Sequence, residues 1–193
     1  GKFVIVDQFI DRTFSRAKTF FDDEIVAHVS MAAPTSVGLM NACEDAIKCS
    51  NIDYQRKGTY VVMEGPQFST LAESNLYRTW NADVIGMTNM PEAKLAREAE
   101  IRYCTVAMVT DYDCWHPDHD DVEVSDIIET LTSNASSAKD LIKKVTSILS
   151  SEKKTCSQGC NTALEHAIIS HSDKITLAEK KRLGVVAKRF FDT

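Results

Sequence analysis

The run TVAMVTDYDCWH at residues 105–116 sets the tightest limit on what this chain can fold into. Val106, Ala107, Met108 and Val109 form an unbroken apolar stretch, without the polar alternation of a half-solvated strand. Such a stretch fits a central strand covered on both faces, although periodicity alone leaves a buried helical segment open. It stops at Thr110, Asp111 and Asp113. Open α/β sheets bind their ligands outside the carboxyl ends of strands, so these polar side chains stand where a ligand is expected. With Tyr112 and Trp115 beside them they suit a flat, polar one.

Strand and helix signals alternate along the rest of the chain. Residues 2–6 read as a strand that DQFIDRT leaves, and 13–33 read as a long surface excursion with a brief extended piece. Pro34 and Thr35 open a helix to about Ser50. Lys57 and Gly58 turn into the strand TYVVM, which Glu64, Gly65 and Pro66 break. Thr70 and Glu73 then have capping-box spacing at the head of a helix carrying Ala72, Leu76 and Trp80 on one stripe. A short strand at 83–87 precedes a helix opened by Pro91 and Glu92. After the TVAMV strand, a helix over 125–149 carries Ile127, Leu131, Ala135, Ala138, Ile142, Val145 and Leu149 at spacings of three and four. Residues 150–155 read as a polar linker, and two short helices follow from Asn161. The predicted class is α/β, with a mixed, largely parallel central sheet flanked by helices.

The length of 193 residues fits one domain with a substantial core. A net charge of −6 argues against nucleic acid as a partner, since phosphate neutralisation needs a basic face. No run approaches 18 apolar residues, so no membrane partner is expected. Six cysteines scattered through a chain of ordinary size suggest a reducing, cytoplasmic setting, with Cys156 and Cys160 the exception. The chain starts at Gly1 and runs at once into FVIV, which points either to processing or to the back part of a longer protein.

TYVVM leads to EGPQFS, ADVIG to Met87 and Thr88, and TVAMV to TDYD. In a parallel sheet these three ends lie along one edge and gather Phe68, Ser69, Met87, Thr88, Thr110, Asp111 and Asp113. Phe68 can stack on a flat ring, and Thr88 can donate to an anion. An aspartate in a closed apolar site can serve as a general acid. The set suits an aromatic heterocycle that must be protonated as it leaves.

EGPQFST with AES, IGMTNMPEAKLAREA and TDYDCW, together with DQFIDRT, strongly resemble motifs of the 5′-methylthioadenosine phosphorylases of the trimeric nucleoside phosphorylase family. The resemblance covers roughly residues 3–149 and implies the nucleoside phosphorylase-like fold. It also implies attack of phosphate on the anomeric carbon of methylthioadenosine, giving adenine and 5-methylthioribose 1-phosphate. On this resemblance Phe68 stacks on adenine, Met87 packs on the ribose and Thr88 binds phosphate. Asp111 serves N7 of the leaving purine and Asp113 its 6-amino group, with Ser69 and Thr110 alongside. Val124 and Ile127 line the methylthio pocket, and His28 reaches across a subunit boundary toward the 5′ group. The guanine- and hypoxanthine-specific relatives carry glutamate at the Ser69 position and asparagine at that of Asp111. An acceptor suits an exocyclic amine and a donor suits a carbonyl, so the residues here favour adenine. The implied partners are a small-molecule nucleoside, phosphate as a substrate, and two further copies in a homotrimer. No cofactor and no metal are implied.

The family's glycine-rich phosphate loop, an Arg–His pair and a phosphate-binding strand all precede DQFID, where this sequence begins. Residues 1–193 therefore read as the C-terminal part of a single phosphorylase-like domain, incomplete at the N-terminal side. The rest is cut away, carried on a separate N-terminal chain, or outside the sequence given. Two alternatives stand beside phosphorolysis of methylthioadenosine: a non-catalytic homologue that binds adenine or a partner subunit, and a purine nucleoside phosphorylase of other specificity. Asp111 and Asp113 as a metal pair offer too few oxygen ligands. His116 and His119 among the acids at 118, 120 and 121 read as a solvated loop, which the resemblance makes a gate. Cys156, Cys160, His166 and His171 match no standard zinc spacing. Some relatives carry paired cysteines near this position, which leaves a disulfide there as an open reading.

Overall fold

The computed structural model describes residues 1–22, 25–50, 52–116, 124–150 and 156–191, with only the backbone described at 124–127 and 129. The loop expected to gate the site, including His119 and the acids at 118, 120 and 121, lies outside the described residues, as do 151–155 of the expected linker. Among those described, the strands are β1 (Phe3–Val6), β2 (Gln8–Arg12), β3 (Tyr54–Arg56), β4 (Thr59–Met63), β5 (Val84–Gly86) and β6 (Thr105–Met108). The helices are α1 (Val37–Lys48), α2 (Leu71–Thr79), α3 (Glu92–Glu98), α4 (Val124–Ser150), α5 (Leu177–Arg182) and α6 (Gly184–Ala187).

The strands form two three-stranded sheets, in the orders β3–β1–β6 and β2–β4–β5. Only Asp7 separates β1 from β2, so one extended run of chain passes from the first sheet into the second. β1 pairs parallel with β3, and β4 pairs parallel with both β2 and β5. β6 runs antiparallel to β1, Phe3 opposite Met108 and Val6 opposite Thr105. The result is the mixed, largely parallel α/β arrangement read from the sequence, with one difference of placement. The strand buried on both faces is β1, not β6. Phe3 and Ile5 point into a core with Met40, Ala46, Ile47 and Leu141, while Val4 and Val6 point into another with Tyr60, Val62, Met90 and Ala93. Burying each such side chain is worth about 1.5–3 kcal/mol. β6 lies at the edge of its sheet and is only half-buried. An apolar run of four looks the same in either place, because Val106 and Met108 still pack on the first core, and Ala107 and Val109 on the second.

Three further readings change. Residues 8–12 continue into a strand instead of leaving one. The expected surface excursion over 13–33 contributes Phe21 and Ile25 to a third core, closed by Leu164, Ala167, Leu183 and Ala187 from the end of the chain. Ala27 bridges to Ile168, and the buried Arg97 donates to the carbonyls of Ala33 and Gln158, tying the same two regions together. The stripe expected on α2 faces out: Leu76 and Trp80 are exposed, while Ser74 and Tyr77 are buried. On α4, Asn134 and Leu141 are buried, whereas Leu131 and Ile142 are exposed. Periodicity located both helices but missed the face of α2 and caught that of α4 only in part, where Val145 packs on the first core, because apolar residues line more than one side of each.

Candidate active site

Two loops leave the parallel sheet on the same side. After β4 the chain turns at Gly65 (φ 70°) and a cis peptide to Pro66, passes Phe68 and Ser69, and enters α2. The entry is fixed by a reciprocal capping box: the Thr70 hydroxyl accepts from the Glu73 backbone N–H, and the Glu73 carboxylate accepts from the Thr70 N–H at 2.8 Å. After β5 come Met87, Thr88 and Asn89, the last at φ 74°, and then a second cis peptide, Met90–Pro91. A Cβ at Gly65 would stand 2.5 Å from the Met87 sulfur, so glycine lets these two loops touch.

β6 delivers Thr110–Asp113 to the same place from the opposite direction. The parallel-edge picture of three strand ends is therefore corrected for β6. Phe68, Ser69, Met87, Thr88, Thr110, Asp111 and Asp113 nevertheless line one cleft of about 1570 Å³. Both sheets contribute to it, because β1 carries the chain from one into the other. Leu131 lines it from α4. Val124 and Ile127 lie on the first turn of that helix, and their side chains are outside those described. His28 is exposed and does not line the cleft.

Several polar contacts order the site. The Tyr60 and Thr88 hydroxyls lie 3.3 Å apart, and the Asn89 amide donates to Thr88 Oγ1 at 3.4 Å. Asn89 Oδ1 in turn accepts from Tyr103 at 2.9 Å and Thr105 at 2.8 Å, linking the Thr88 loop to the start of β6. Burial, helped by the nearby Glu92 carboxylate, pushes the Tyr103 phenol up despite its Thr105 contact, so it remains a donor. Thr110 donates its hydroxyl to Asp111, and Asp113 accepts from the Cys114 N–H at 3.0 Å. The Cys114 thiol lies 3.6 Å from the Ser69 carbonyl, and the Arg78 guanidinium lies over Trp115 at 4.0 Å. Together these two contacts hold the aspartate loop against the Phe68 loop and α2. Phe68 itself is exposed on the cleft, and so is Asp111; the closed apolar surround expected for that aspartate is not formed by the described residues.

Sequence reasoning missed Arg16, Tyr60, Arg78 and Asn89. Tyr60 reads as an ordinary strand residue, and Arg16 sits in the stretch taken for a surface excursion. Among the described residues no group of three or more His, Cys, Asp or Glu is placed to hold a metal ion. Cys156 and Cys160 are bridged to one another, with Cα atoms 5.6 Å apart, which removes both thiols from a zinc reading. No helix among the described residues is long and apolar enough to cross a membrane.

Residues 1–147 match the family model of the phosphorylase superfamily. The S-methyl-5′-thioadenosine phosphorylase of Rhodospirillum rubrum is 55% identical over 98% of this chain and 64% of its own length. That of Cereibacter sphaeroides is 53% identical, over 98% of this chain and 65% of its own length. The structure of a methylthioadenosine phosphorylase sourced from an antarctic soil metagenomic library superposes with a TM-score of 0.87 at 45% identity, covering 96% of this chain and 65% of that one. The Schistosoma mansoni methylthioadenosine phosphorylase in complex with adenine gives 0.80 at 26% identity, covering 87% and 66%. The chain thus spans a little under two thirds of the length of the relatives it matches. By sequence and by fold, it belongs to the phosphorylase superfamily.

Proposed function

We propose that this chain carries the nucleobase- and ribose-reading part of a 5′-methylthioadenosine phosphorylase. The observation that carries the reading is the meeting of Phe68 and Ser69, Met87 and Thr88, and Thr110, Asp111 and Asp113 around one cleft, in a chain 55% identical to a named methylthioadenosine phosphorylase. In this reading adenine stacks on Phe68, Asp113 accepts from the 6-amino group, and Asp111 gives or shares a proton at N7. Phosphate held by Thr88 attacks C1′ as the C1′–N9 bond breaks, and the electron pair of that bond leaves with the protonated base. Charge builds on an oxocarbenium-like sugar, so fixed carboxylates and hydroxyls supply much of the rate. Val124 and Ile127 line the methylthio end of the pocket. Phosphate is a substrate, and the reaction as proposed uses no cofactor.

Thr88 is the single phosphate contact assigned on this chain, which spans 64% of the length of the Rhodospirillum rubrum relative. We place the protein in the cytoplasm as a homotrimer and residues 1–193 within one phosphorylase domain. The unbridged thiols of Cys43, Cys49 and Cys104 suit that compartment, with the Cys156–Cys160 bridge as the exception. The exposure of His28 away from the cleft suits a side chain that serves a neighbouring subunit. The second reading, an adenine-binding homologue without catalysis, draws support from the same cleft, whose described lining suits a flat base.

The test is phosphate-dependent release of adenine from methylthioadenosine by this chain together with the rest of the family's length, as one chain or two. Release is expected, and Asp111→Ala should slow it by about 10²-fold or more. Adenine binding without turnover would select the non-catalytic reading, and release without phosphate dependence would overturn phosphorolysis.

A further inference from the structure

Arg16 lies between elements, yet every N–H of its guanidinium has a partner. Nη1 donates to the carbonyls of Met87 at 2.8 Å and Met90 at 2.5 Å. Nη2 donates to those of Glu64 at 2.8 Å and Met63 at 3.3 Å, and Nε donates to Glu64 Oε1 at 3.0 Å. The other carboxylate oxygen of Glu64 accepts from the backbone N–H groups of Phe14 at 2.5 Å and Ser15 at 3.1 Å. A guanidinium has five donors, and here five acceptors meet them. Four are backbone carbonyls, two at the end of β4 and two in the loop after β5. An isolated salt bridge between half-exposed side chains would contribute little. This arrangement differs, because a planar fork joins the end of β4 to the loop after β5 through four backbone carbonyls.

We propose that Arg16 is a positioning residue that sets the spacing between the Phe68–Ser69 loop and the Met87–Thr88 loop, and through them the geometry of the base and ribose-phosphate contacts. The inference rests on the reading of the cleft as a nucleoside site. Arg16 does not line the cleft, so it acts only through the backbone it holds. Lysine cannot replace it: an ammonium offers three donors from one point and cannot span both pairs of carbonyls. Glu64 has a different task, ordering residues 14–16 so that the guanidinium arrives in register. Neutralising it as Glu64→Gln leaves the four carbonyl contacts in reach.

The test compares the wild-type chain, Arg16→Lys and Glu64→Gln by amide hydrogen exchange and by calorimetric titration with adenine. In Arg16→Lys, exchange should accelerate about tenfold or more at 63–69 and 87–90, with β1 and α1 unchanged. The adenine dissociation constant should rise about tenfold or more while the melting transition stays cooperative. Glu64→Gln should show the smaller change in both. Unchanged exchange in the two loops, uniform acceleration throughout the chain, or a Glu64→Gln effect as large as that of Arg16→Lys would overturn the clamp. Failure of the wild-type chain to bind adenine would instead overturn the reading of the cleft, and the exchange pattern would still decide the clamp.

Discussion

The hydroxyl of Tyr60, a buried residue of β4, lies 3.3 Å from the hydroxyl of Thr88 in the loop that follows β5. The contact fixes the rotor of a side chain that the proposed reaction needs for phosphate. Tyr60→Phe keeps the ring packing and removes that partner. The expected result, measured as phosphate KM in the completed enzyme, is a rise of about 2- to 10-fold, with adenine affinity unchanged. An unchanged phosphate KM would mean that Thr88 is ordered by Asn89 alone.

Base choice should follow the donor and acceptor pattern of Ser69 and Asp111. The double variant Ser69→Glu with Asp111→Asn replaces a hydroxyl by a carboxylate that accepts from N1–H, and a carboxyl by an amide that donates to a 6-carbonyl. Adenine affinity, read by calorimetry, should fall about tenfold or more while hypoxanthine gains, because a mismatched base leaves buried polar groups unpaired. Retained preference for adenine would assign the choice to other residues.

Asp11, a residue of β2 paired opposite Val62 of β4, is set by four contacts. Burial pushes its carboxyl up, but Lys94, the Thr13 hydroxyl at 2.6 Å, the Thr13 N–H at 2.9 Å and Lys18 together hold it well below the ordinary 3.8. A depressed folded-state pKa stabilises the protein above the unfolded-state value, and that contribution is lost as pH falls through the folded-state value. Asp11→Asn should therefore be destabilising by about 1.5–3 kcal/mol near neutral pH, judged from hydrogen bonds to charged groups. The difference from wild type in denaturant titrations should shrink below about pH 4. A gap that stayed constant with pH would show that the charge of Asp11 is not what matters.

Legibility tracked how local each determinant was. The capping box at Thr70 and Glu73, the starts of α1 and α3, and the seven cleft residues are encoded within a few positions of themselves, and all were readable. The edge position and antiparallel direction of β6 were not, because Val106–Val109 would look alike in a central strand. The outward stripe of α2 was misread for a related reason. Ser74 and Tyr77 are buried there, and a stripe drawn through Ala72, Leu76 and Trp80 points the other way. Arg16 and Tyr60 act across 47 to 74 and 28 residues of chain, respectively, so no local pattern announces them.

The Cys156–Cys160 bridge holds a short loop against two other segments. Within it the Gln158 side chain accepts from the Val37 N–H at 3.3 Å, at the start of α1, where Ser36 makes no side-chain cap. The Gln158 carbonyl accepts from Arg97 at 3.3 Å. Cys156→Ser with Cys160→Ser frees the loop and leaves both donors less well matched. Thermal unfolding should drop by about 2–4 °C for each 1 kcal/mol lost, and a loss of about 1–2 kcal/mol is expected for a helix cap and one hydrogen bond to a charged group. Wild-type protein treated with a dithiol should melt like the double variant. Identical melting with and without the bridge would show that Gln158 holds its place unaided.

The central claim is that the cleft between the Phe68 loop and the Asp111–Asp113 loop reads adenine, and calorimetric titration of this chain with adenine and hypoxanthine tests it most directly. The account predicts saturable adenine binding at one site per chain, at least about tenfold tighter than hypoxanthine, and loss of that preference in Asp113→Ala. Absence of adenine binding, or equal affinity for the two bases, would contradict it.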